Sequence, residues 1–140
     1  MKRFIPFIVI AVALYLYQDV DNPSPQVSPD VASEAATQEP VLVAGRQAEG
    51  SGTVIRILPD DNDGSRHQRF IIRLASGRTL LIAHNIDLAP RINSLKTGDT
   101  VAFFGEFESN PQGGVIHWTH HDPQRRHPDG WLKHGGRTYQ

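Results

Sequence analysis

The chain has 140 residues, with 14 basic and 15 acidic side chains, a formal charge of −1 and no cysteine. This charge shows none of the basic excess that is typical of dedicated nucleic-acid-binding proteins. The absence of cysteine excludes disulfides, a lipid-modified cysteine, a thiolate metal site and a cysteine nucleophile. Any metal must therefore be bound by His, Asp or Glu.

The first 17 residues, "MKRFIPFIVIAVALYLY", are typical of an export signal or a membrane anchor. Lys2 and Arg3 precede an apolar run, which by the positive-inside rule places the rest of the chain outside the cytoplasm. The A-x-A pattern at residues 11–13 lies inside this run, so it favours an uncleaved anchor helix over a cleaved signal peptide. We expect an inner-membrane anchor with the domain in the periplasm or outside the cell; cleavage would give a secreted protein.

Residues 18–48 are rich in Pro, Ser, Ala, Gln and acidic side chains, and they contain hardly any aromatic residue. This composition predicts a disordered acidic tether. The rest of the chain, residues 49–140, is mildly basic and is the predicted folded domain.

The domain begins with short runs of β-branched and aromatic residues that are separated by turn signals, which indicates an all-β fold. The predicted strands are "TVIRIL" (53–58), "HQRFIIRL" (67–74), "RTLLIAH" (78–84), "TVAFFGEF" (100–107) and "VIHW" (115–118). Alternation in the second run assigns residues to two faces. The core face carries Gln68, Phe70, Ile72 and Leu74, and the outer face carries His67, Arg69, Ile71 and Arg73.

The segment "NIDLAPRINSLKTGD" between the third and fourth strands is the one candidate for a helix or helical turn. Five strands with one short helical connection match the order of an OB-fold, a small Greek-key barrel. Val101, Phe103 and Phe107 are expected to fill this barrel, and Gly105 to permit its bend. We therefore predict an all-β, five-stranded OB-like barrel, preceded by the anchor helix and the tether.

Three stretches carry a resemblance to a known family. They are "GSGTVIRILPDDNDGSRHQRFIIRL", "LLIAHNIDLAPRI" and "GGVIHWTHHDPQRRHPDGW". Over residues 49–140 the chain resembles a family of short exported bacterial proteins that is catalogued only as a domain of unknown function. The resemblance implies an exported protein and the limits of the domain, but it carries no catalytic residue.

The stretch "GGVIHWTHHDP" concentrates histidines near the end of the fifth strand. A divalent metal, zinc or manganese, is one interpretation, with His117, His121, Asp122 and His127 as the candidate ligands. The alternative is a solvated surface on which the histidines are ordinary polar residues. The acidic turn "PDDNDG" does not satisfy a calcium-loop pattern, because Pro59 stands where that pattern requires an acidic residue.

Candidate proton carriers are His84 and His120. His84 with Asp87 could serve as a base and the carboxylate that orients it, but capping of the backbone by Asn85 or Asp87 is the favoured interpretation. No serine-elbow, Walker or dinucleotide-binding motif is present in the sequence, which argues against the reactions that depend on them.

Basic and aromatic residues also suggest a surface for an anionic ligand. The candidate contacts are Arg69, Arg73, Trp118, Arg125, Arg126 and Trp131. The alternative for the C-terminal segment is an extension that packs across the barrel and buries Trp131 and Tyr139.

Three functions remain open on the sequence. The favoured one is a membrane-tethered OB-like module that binds an oligonucleotide or another polyanion. The second is a metal-dependent hydrolase of the phosphodiesterase type, in which the His/Asp cluster activates water. The third is a scaffold that docks to an envelope protein. An OB-like fold is compatible with all three.

Overall fold

The computed structural model describes residues 39–140. In this range the chain forms seven strands: β1 (Arg46–Ile57), β2 (His67–Arg73), β3 (Thr79–Asn85), β4 (Thr100–Glu108), β5 (Val115–His117), β6 (Trp131–His134) and β7 (Arg137–Tyr139). The predicted anchor and most of the predicted tether lie outside the described residues. Within residues 39–140 there is no helix with the length and hydropathy needed to cross a membrane.

The first five strands form a closed barrel. They lie in the order β1-β2-β3-β5-β4, and pairing between β1 and β4 completes the ring. β3 and β5 run parallel, whereas the other neighbouring pairs are antiparallel. The prediction of an all-β, five-stranded barrel is therefore confirmed.

β1 is longer than the sequence predicted, because it pairs with two neighbours in turn. Its segment Arg46–Thr53 pairs with β4, and Thr53–Ile57 pairs with β2 with a register irregularity between Val54 and Arg56. A Cβ atom at Gly52 would lie 2.8 Å from the carbonyl oxygen of Arg73, so glycine permits the close approach of β1 to β2. Glycine has a low strand propensity, which is why the pattern indicated only the second half of this strand.

The barrel interior is filled by the residues that alternation assigned to it. Gln68, Phe70, Ile72 and Leu74 of the second run and Val101, Phe103 and Phe107 of the fourth are all buried. Burial of a large apolar side chain is worth about 1.5–3 kcal/mol, so this interior supplies much of the free energy of folding.

The connection between β3 and β4, residues 86–99, contains no helix, and the prediction of a short helical connection is wrong. The Asn85 side-chain oxygen accepts hydrogen bonds from the amides of Asp87, at 2.9 Å, and Leu88, at 3.2 Å. Asn85 thus caps a single turn, which the amide of Ala89 closes on the carbonyl of Asn85 at 3.1 Å, as the capping interpretation predicted. Pro90 follows and has no N–H to continue a helix.

The buried side chain of Gln68 holds this connection against the barrel. Its amide nitrogen donates to the carbonyl of Ile92, and its oxygen accepts from the amide of Ile92, both at 2.9 Å. Ile92 is fully buried in the core. Gln68, the one polar residue on the inner face of β2, therefore links the barrel to its longest connection through hydrogen bonds.

A hairpin of β6 and β7 completes the described chain. β6 pairs with β4 along Ala102–Phe104, and β7 pairs with β6. Tyr139 is buried at 6% exposure, whereas Trp131 remains partly exposed. The C-terminal segment therefore packs on the barrel through Tyr139, as one interpretation predicted, but Trp131 stays on the outer surface.

Candidate functional site

Most of the predicted site residues lie in one loop, residues 118–130, which joins β5 to β6 and is called the β5–β6 loop below. It contains Trp118, His120, His121, Asp122, Arg125, Arg126 and His127. The other predicted residues lie on strands: Arg69 and Arg73 on β2, His84 on β3, His117 on β5 and Trp131 on β6.

The carboxylate of Asp122 organises the loop. One oxygen accepts the amide of Gln124, and the other accepts the amides of Arg126 and His127, all at 2.9 Å. These amide donors hold the pKa of Asp122 below its usual value. Because its oxygens face the loop backbone, Asp122 supports the loop, and the structure does not direct it to a metal together with His117.

His84 holds the β5–β6 loop in place at Thr119. The ring is fully buried, with Nε2 at 3.0 Å from the carbonyl oxygen of Pro90 and Nδ1 at 2.7 Å from Oγ1 of Thr119. A carbonyl only accepts, so Nε2 carries the proton and Nδ1 accepts from the hydroxyl. Burial lowers the pKa of His84 to about 4. In this position His84 joins β3 to the loop and has no ring nitrogen free for a ligand; its predicted partner Asp87 instead pairs with Arg66 at 2.7 Å.

His120 is also nearly buried, at 4% exposure. Its Nδ1 lies 2.7 Å from the carbonyl oxygen of His121, and its own carbonyl accepts the amide of Gly130 at 3.0 Å. The ring nevertheless lines a cleft of about 220 Å³ together with His67 and His117. A role for His120 in proton transfer therefore stays a prediction.

A left-handed backbone at Trp118, with φ of 57°, ends the alternation of β5. Gly130 makes this turn possible, because a Cβ atom there would overlap the carbonyl oxygen of Trp118 and lie 2.6 Å from that of Phe104. After the turn the Trp118 ring stacks on His127, with ring centroids 3.9 Å apart and an interplanar angle of 11°. A positive φ at a bulky residue is strained, and such strain is common at ligand-binding positions.

The stacked pair forms one wall of a cleft of about 550 Å³, which is also lined by Leu88 and Arg126. Leu88 is 45% exposed, so the cleft has an apolar floor beside the aromatic ring. Within residues 39–140 the guanidinium of Arg126 has no ion-pair partner. The cleft thus combines a flat aromatic surface with a cation that is free to bind an anion.

A second cleft, of about 600 Å³, shares Asp122 and His127 with the first and is also lined by Arg125 and His121. His121 pairs with Asp129, with 3.1 Å between Nδ1 and Oδ2. His121 lines this cleft together with two other predicted metal ligands, Asp122 and His127, but the ion pair of its ring is with Asp129.

Two histidines of the predicted metal site do come together, but around a residue that the sequence did not indicate. Oε2 of Glu106 lies 3.4 Å from Nε2 of His117 and 3.3 Å from Nε2 of His127. Oε1 of Glu108 lies 3.9 Å from the same nitrogen of His117. Burial lowers the pKa of His117, and the two carboxylates oppose that effect. A signal for these acids exists in "FFGEFE", whose alternation places both on the outer face of β4.

The remaining candidate contacts are dispersed. Nε and Nη2 of Arg69 donate to the carbonyl of Pro59, at 3.2 and 3.1 Å. Arg73 ends β2 at the opposite end of the barrel from the β5–β6 loop, and Trp131 lies under the ammonium of Lys133 at 4.1 Å. The structure therefore brings Trp118 and Arg126 into one cleft but separates Arg69, Arg73 and Trp131 from it.

Comparison with known proteins assigns the chain to a family. Residues 26–140 match the family described as "Protein of unknown function (DUF3465)", and the chain belongs to that family. The match begins within the predicted tether, further toward the N-terminus than the resemblance in the sequence indicated. Neither the curated proteins nor the solved structures contain a match to the chain.

Proposed function

We propose that this chain, whose family carries no assigned activity, is an OB-like module that binds an anionic ligand at the β5–β6 loop. Trp118 would stack on a planar group of the ligand, and Arg126 would bind a neighbouring phosphate or carboxylate. Single-stranded nucleic acid is the ligand class that offers both groups in every residue.

The order of the strands supports the OB-like assignment. The closed order β1-β2-β3-β5-β4, with β3 and β5 parallel, is the arrangement expected of a five-stranded Greek-key barrel of this type. Barrels of this class bind oligonucleotides and oligosaccharides across one face and its bordering loops. The β5–β6 loop leaves the barrel at such a border, where β5 ends.

One observation carries the proposal, which is the cleft that Trp118, Leu88 and Arg126 share. Stacking of a base on an aromatic ring is worth about 1–3 kcal/mol, and an arginine can bind a phosphate with two parallel hydrogen bonds. The loop is fixed by hydrogen bonds of Asp122 and His84, so little ordering is needed when a ligand binds.

The other candidate contacts have a smaller part in this proposal. Arg125 lines the neighbouring cleft and would reach an adjacent phosphate. A ligand would meet Arg69, Arg73 or Trp131 only if it extended beyond the loop, because these residues lie on other parts of the barrel.

The proposal includes a place in the cell. The apolar run of residues 1–17 would anchor the chain in the inner membrane, and the tether would hold the barrel in the periplasm or outside the cell. Support for this comes from the two basic residues before the run and the absence of charge within it.

A fluorescence anisotropy titration tests the binding. The full chain would be added to a labelled single-stranded oligonucleotide of about 12 nucleotides, a length within the range that an OB barrel covers. Arg126→Gln should weaken binding and reduce the slope of log K against log salt by about 0.7, the contribution of one phosphate contact on a single strand. Trp118→Ala should weaken binding by roughly 5- to 150-fold, the equivalent of one lost stacking contact.

Arg46→Gln is the matched control, because Arg46 is an exposed arginine that lines neither cleft of the β5–β6 loop. It should leave both affinity and salt slope unchanged. Equal losses in Arg46→Gln and Arg126→Gln would show a diffuse charge effect and contradict the proposed site. Heparin, a polyanion without aromatic bases, should bind the wild type and Trp118→Ala alike.

A further inference from the structure

We propose that the outer face of the barrel binds a divalent cation of the zinc type where β4 lies beside β5. Glu106 and Glu108 of β4 and His117 of β5 would be its ligands, with His127 of the β5–β6 loop beside them. This inference does not depend on the binding of an anionic ligand.

The strand register brings the ligands together. Glu106 is paired with His117 across the antiparallel β4–β5 ladder, and Glu108 is two residues further along the same face. One oxygen of each glutamate and one ring nitrogen of His117 all lie within 4.8 Å of one another. Two ligand atoms on a tetrahedral zinc ion are about 3.3 Å apart, given bonds of about 2.0–2.1 Å. The distance from Glu106 to His117, at 3.4 Å, already has this value.

The ring nitrogen of His117 that faces these acids is the first independent sign of a cation. Nε2 of His117 is shielded from solvent, and it has no hydrogen-bond partner among the described residues. A buried polar nitrogen almost always has a partner, and a native exception calls for an explanation such as an ion. A metal ion between Nε2 and the two carboxylates would satisfy it.

The orientation of His127 is the second sign. Its Nδ1 lies 2.9 Å from the carbonyl oxygen of Pro128, which can only accept, so Nδ1 is the donor. In the neutral ring the Nε2 lone pair then points at the Glu106 carboxylate, 3.3 Å away. Two acceptors in contact require a positive charge, which is a metal ion nearby or a proton on Nε2. Histidines at metal sites characteristically donate their other N–H to a backbone carbonyl.

The charge balance favours a dication. Among residues 39–140, the ion pairs of Glu106 and Glu108 involve only histidines, and no lysine or arginine neutralises them. Two carboxylates and neutral imidazoles leave a local charge that one divalent ion would cancel. The mixed nitrogen and oxygen ligands suit zinc, with manganese as a weaker competitor, whereas magnesium and calcium prefer oxygen ligands throughout.

The site differs from the one that the sequence predicted. His117 is common to both, but Glu106 and Glu108 replace His121 and Asp122, which are engaged with Asp129 and the loop amides. Three protein ligands leave a fourth position for water or His127, as in zinc sites that are open to solvent.

Metal retention tests the inference. The full chain, purified without a histidine tag and treated with a chelator, would be mixed in turn with zinc, manganese or magnesium chloride, passed through gel filtration and assayed by elemental mass spectrometry. We expect one equivalent of zinc in the wild type, less manganese and no magnesium. Glu106→Gln and His117→Gln should lose the zinc, and His127→Gln should weaken zinc affinity roughly 10- to 100-fold, as loss of a supporting partner does.

His121→Gln is the matched control and should retain zinc, because the His121 ring pairs with Asp129 and contacts neither Glu106 nor Glu108. If Glu106→Gln fails to fold, Glu108→Gln gives the same test at a half-exposed position. Absence of zinc in the wild type would overturn the inference, and a protonated His127 would then explain the Glu106 contact. Loss of zinc in His121→Gln but not in Glu106→Gln would also overturn it, since the ligands would then be those of the loop.

Discussion

The barrel wall and the β5–β6 loop are stabilised by different interactions. The wall buries apolar side chains that alternate along each strand, with Phe70 and Phe103 fully enclosed. The loop has hardly any apolar interior, and it is held by Asp122, Thr119 and His84 through hydrogen bonds. Apolar burial is insensitive to pH, whereas these polar contacts depend on protonation states.

This difference explains which residues are available for binding. The polar residues that fix the loop are largely buried, and their polar atoms are occupied by hydrogen bonds within the protein, although Asp122 borders the cleft. The half-buried Trp118 and the exposed Arg126 on the same loop then have defined positions at little entropic cost. The polar cluster in the sequence thus contains two kinds of residue. Some hold the loop in place, and others form its binding surface.

Removing a core aromatic from the wall should have the largest effect. Phe103→Ala should lower the free energy of unfolding by about 3–5 kcal/mol, since the ring is lost from a closed interior. Urea denaturation followed by circular dichroism measures this, and the wall and the loop should unfold together. A loss below about 1 kcal/mol would show that the interior is loosely packed.

The loss of stability caused by protonation of His84 at low pH should be nearly as large. Burial lowers the pKa of His84 from 6.5 to about 4, so the unfolded chain binds a proton more readily than the folded one. Its contribution to stability, about 3 kcal/mol, is present above pH 6.5 and is lost as the pH falls toward 4.

Urea denaturation at several pH values between 4 and 7 measures this slope. His84→Gln removes this titrating group and should reduce the slope within that window, to which His117, whose pKa is also lowered, still contributes. Asp122, Asp87 and Asp99 have pKa values lowered from 3.8, so the stability that they contribute is present above that pH and is lost only at more acidic pH. An unchanged slope in His84→Gln would contradict the assignment.

A substitution at Gly130, beside the turn at Trp118, should lower the free energy of unfolding by a smaller amount, about 1–3 kcal/mol. Gly130→Ala introduces a methyl group that must displace the carbonyls of Trp118 and Phe104. Near-ultraviolet circular dichroism should report a changed environment of Trp118.

Gly64→Ala is the comparison for this variant. Its φ is +70°, but a Cβ atom there meets open space. It should cost about 1 kcal/mol for the left-handed backbone and leave the tryptophan spectrum unchanged. Identical spectra in both variants would show that Gly130 does not control the turn.

A local change in the loop should be the smallest effect on global stability. Asp122→Asn leaves one accepting oxygen, so either the amide of Gln124 or the amides of Arg126 and His127 lose their partner. Hydrogen exchange should accelerate at these amides while the strands remain protected. The exposed Asp63→Asn variant should leave hydrogen exchange unchanged at both the loop amides and the strands. Uniform acceleration across the barrel in Asp122→Asn would contradict the separation of the two regions.

The sequence predicted the wall well, because a period of two assigns Phe70, Val101 and Phe103 to the interior without knowledge of strand pairing. It predicted a helix between β3 and β4 because that segment has no strand pattern. The structure forms turns there, since Pro90 ends the turn that Asn85 caps and Gln68 binds the backbone of Ile92.

The sequence does contain a signal for the β6–β7 hairpin. Gly135 and Gly136 lie between two short strand-like runs, which is a typical two-residue hairpin turn. The grouping of Glu106 with His117 had no comparable signal, because it depends on the register between two strands. Strand register follows from loop geometry and packing, and residue patterns along a single strand do not define it.

A nuclear magnetic resonance titration tests the proposed binding surface most directly. The ¹⁵N-labelled full chain would be titrated with the single-stranded oligonucleotide at low salt, and shifts would be mapped on the amides and the Trp118 indole. We expect the shifts to cluster at Trp118, at Arg125–His127 and at Leu88, with β2 unaffected. Shifts that cluster at Arg69 and Arg73, or no saturable shifts, would contradict a binding site at the β5–β6 loop.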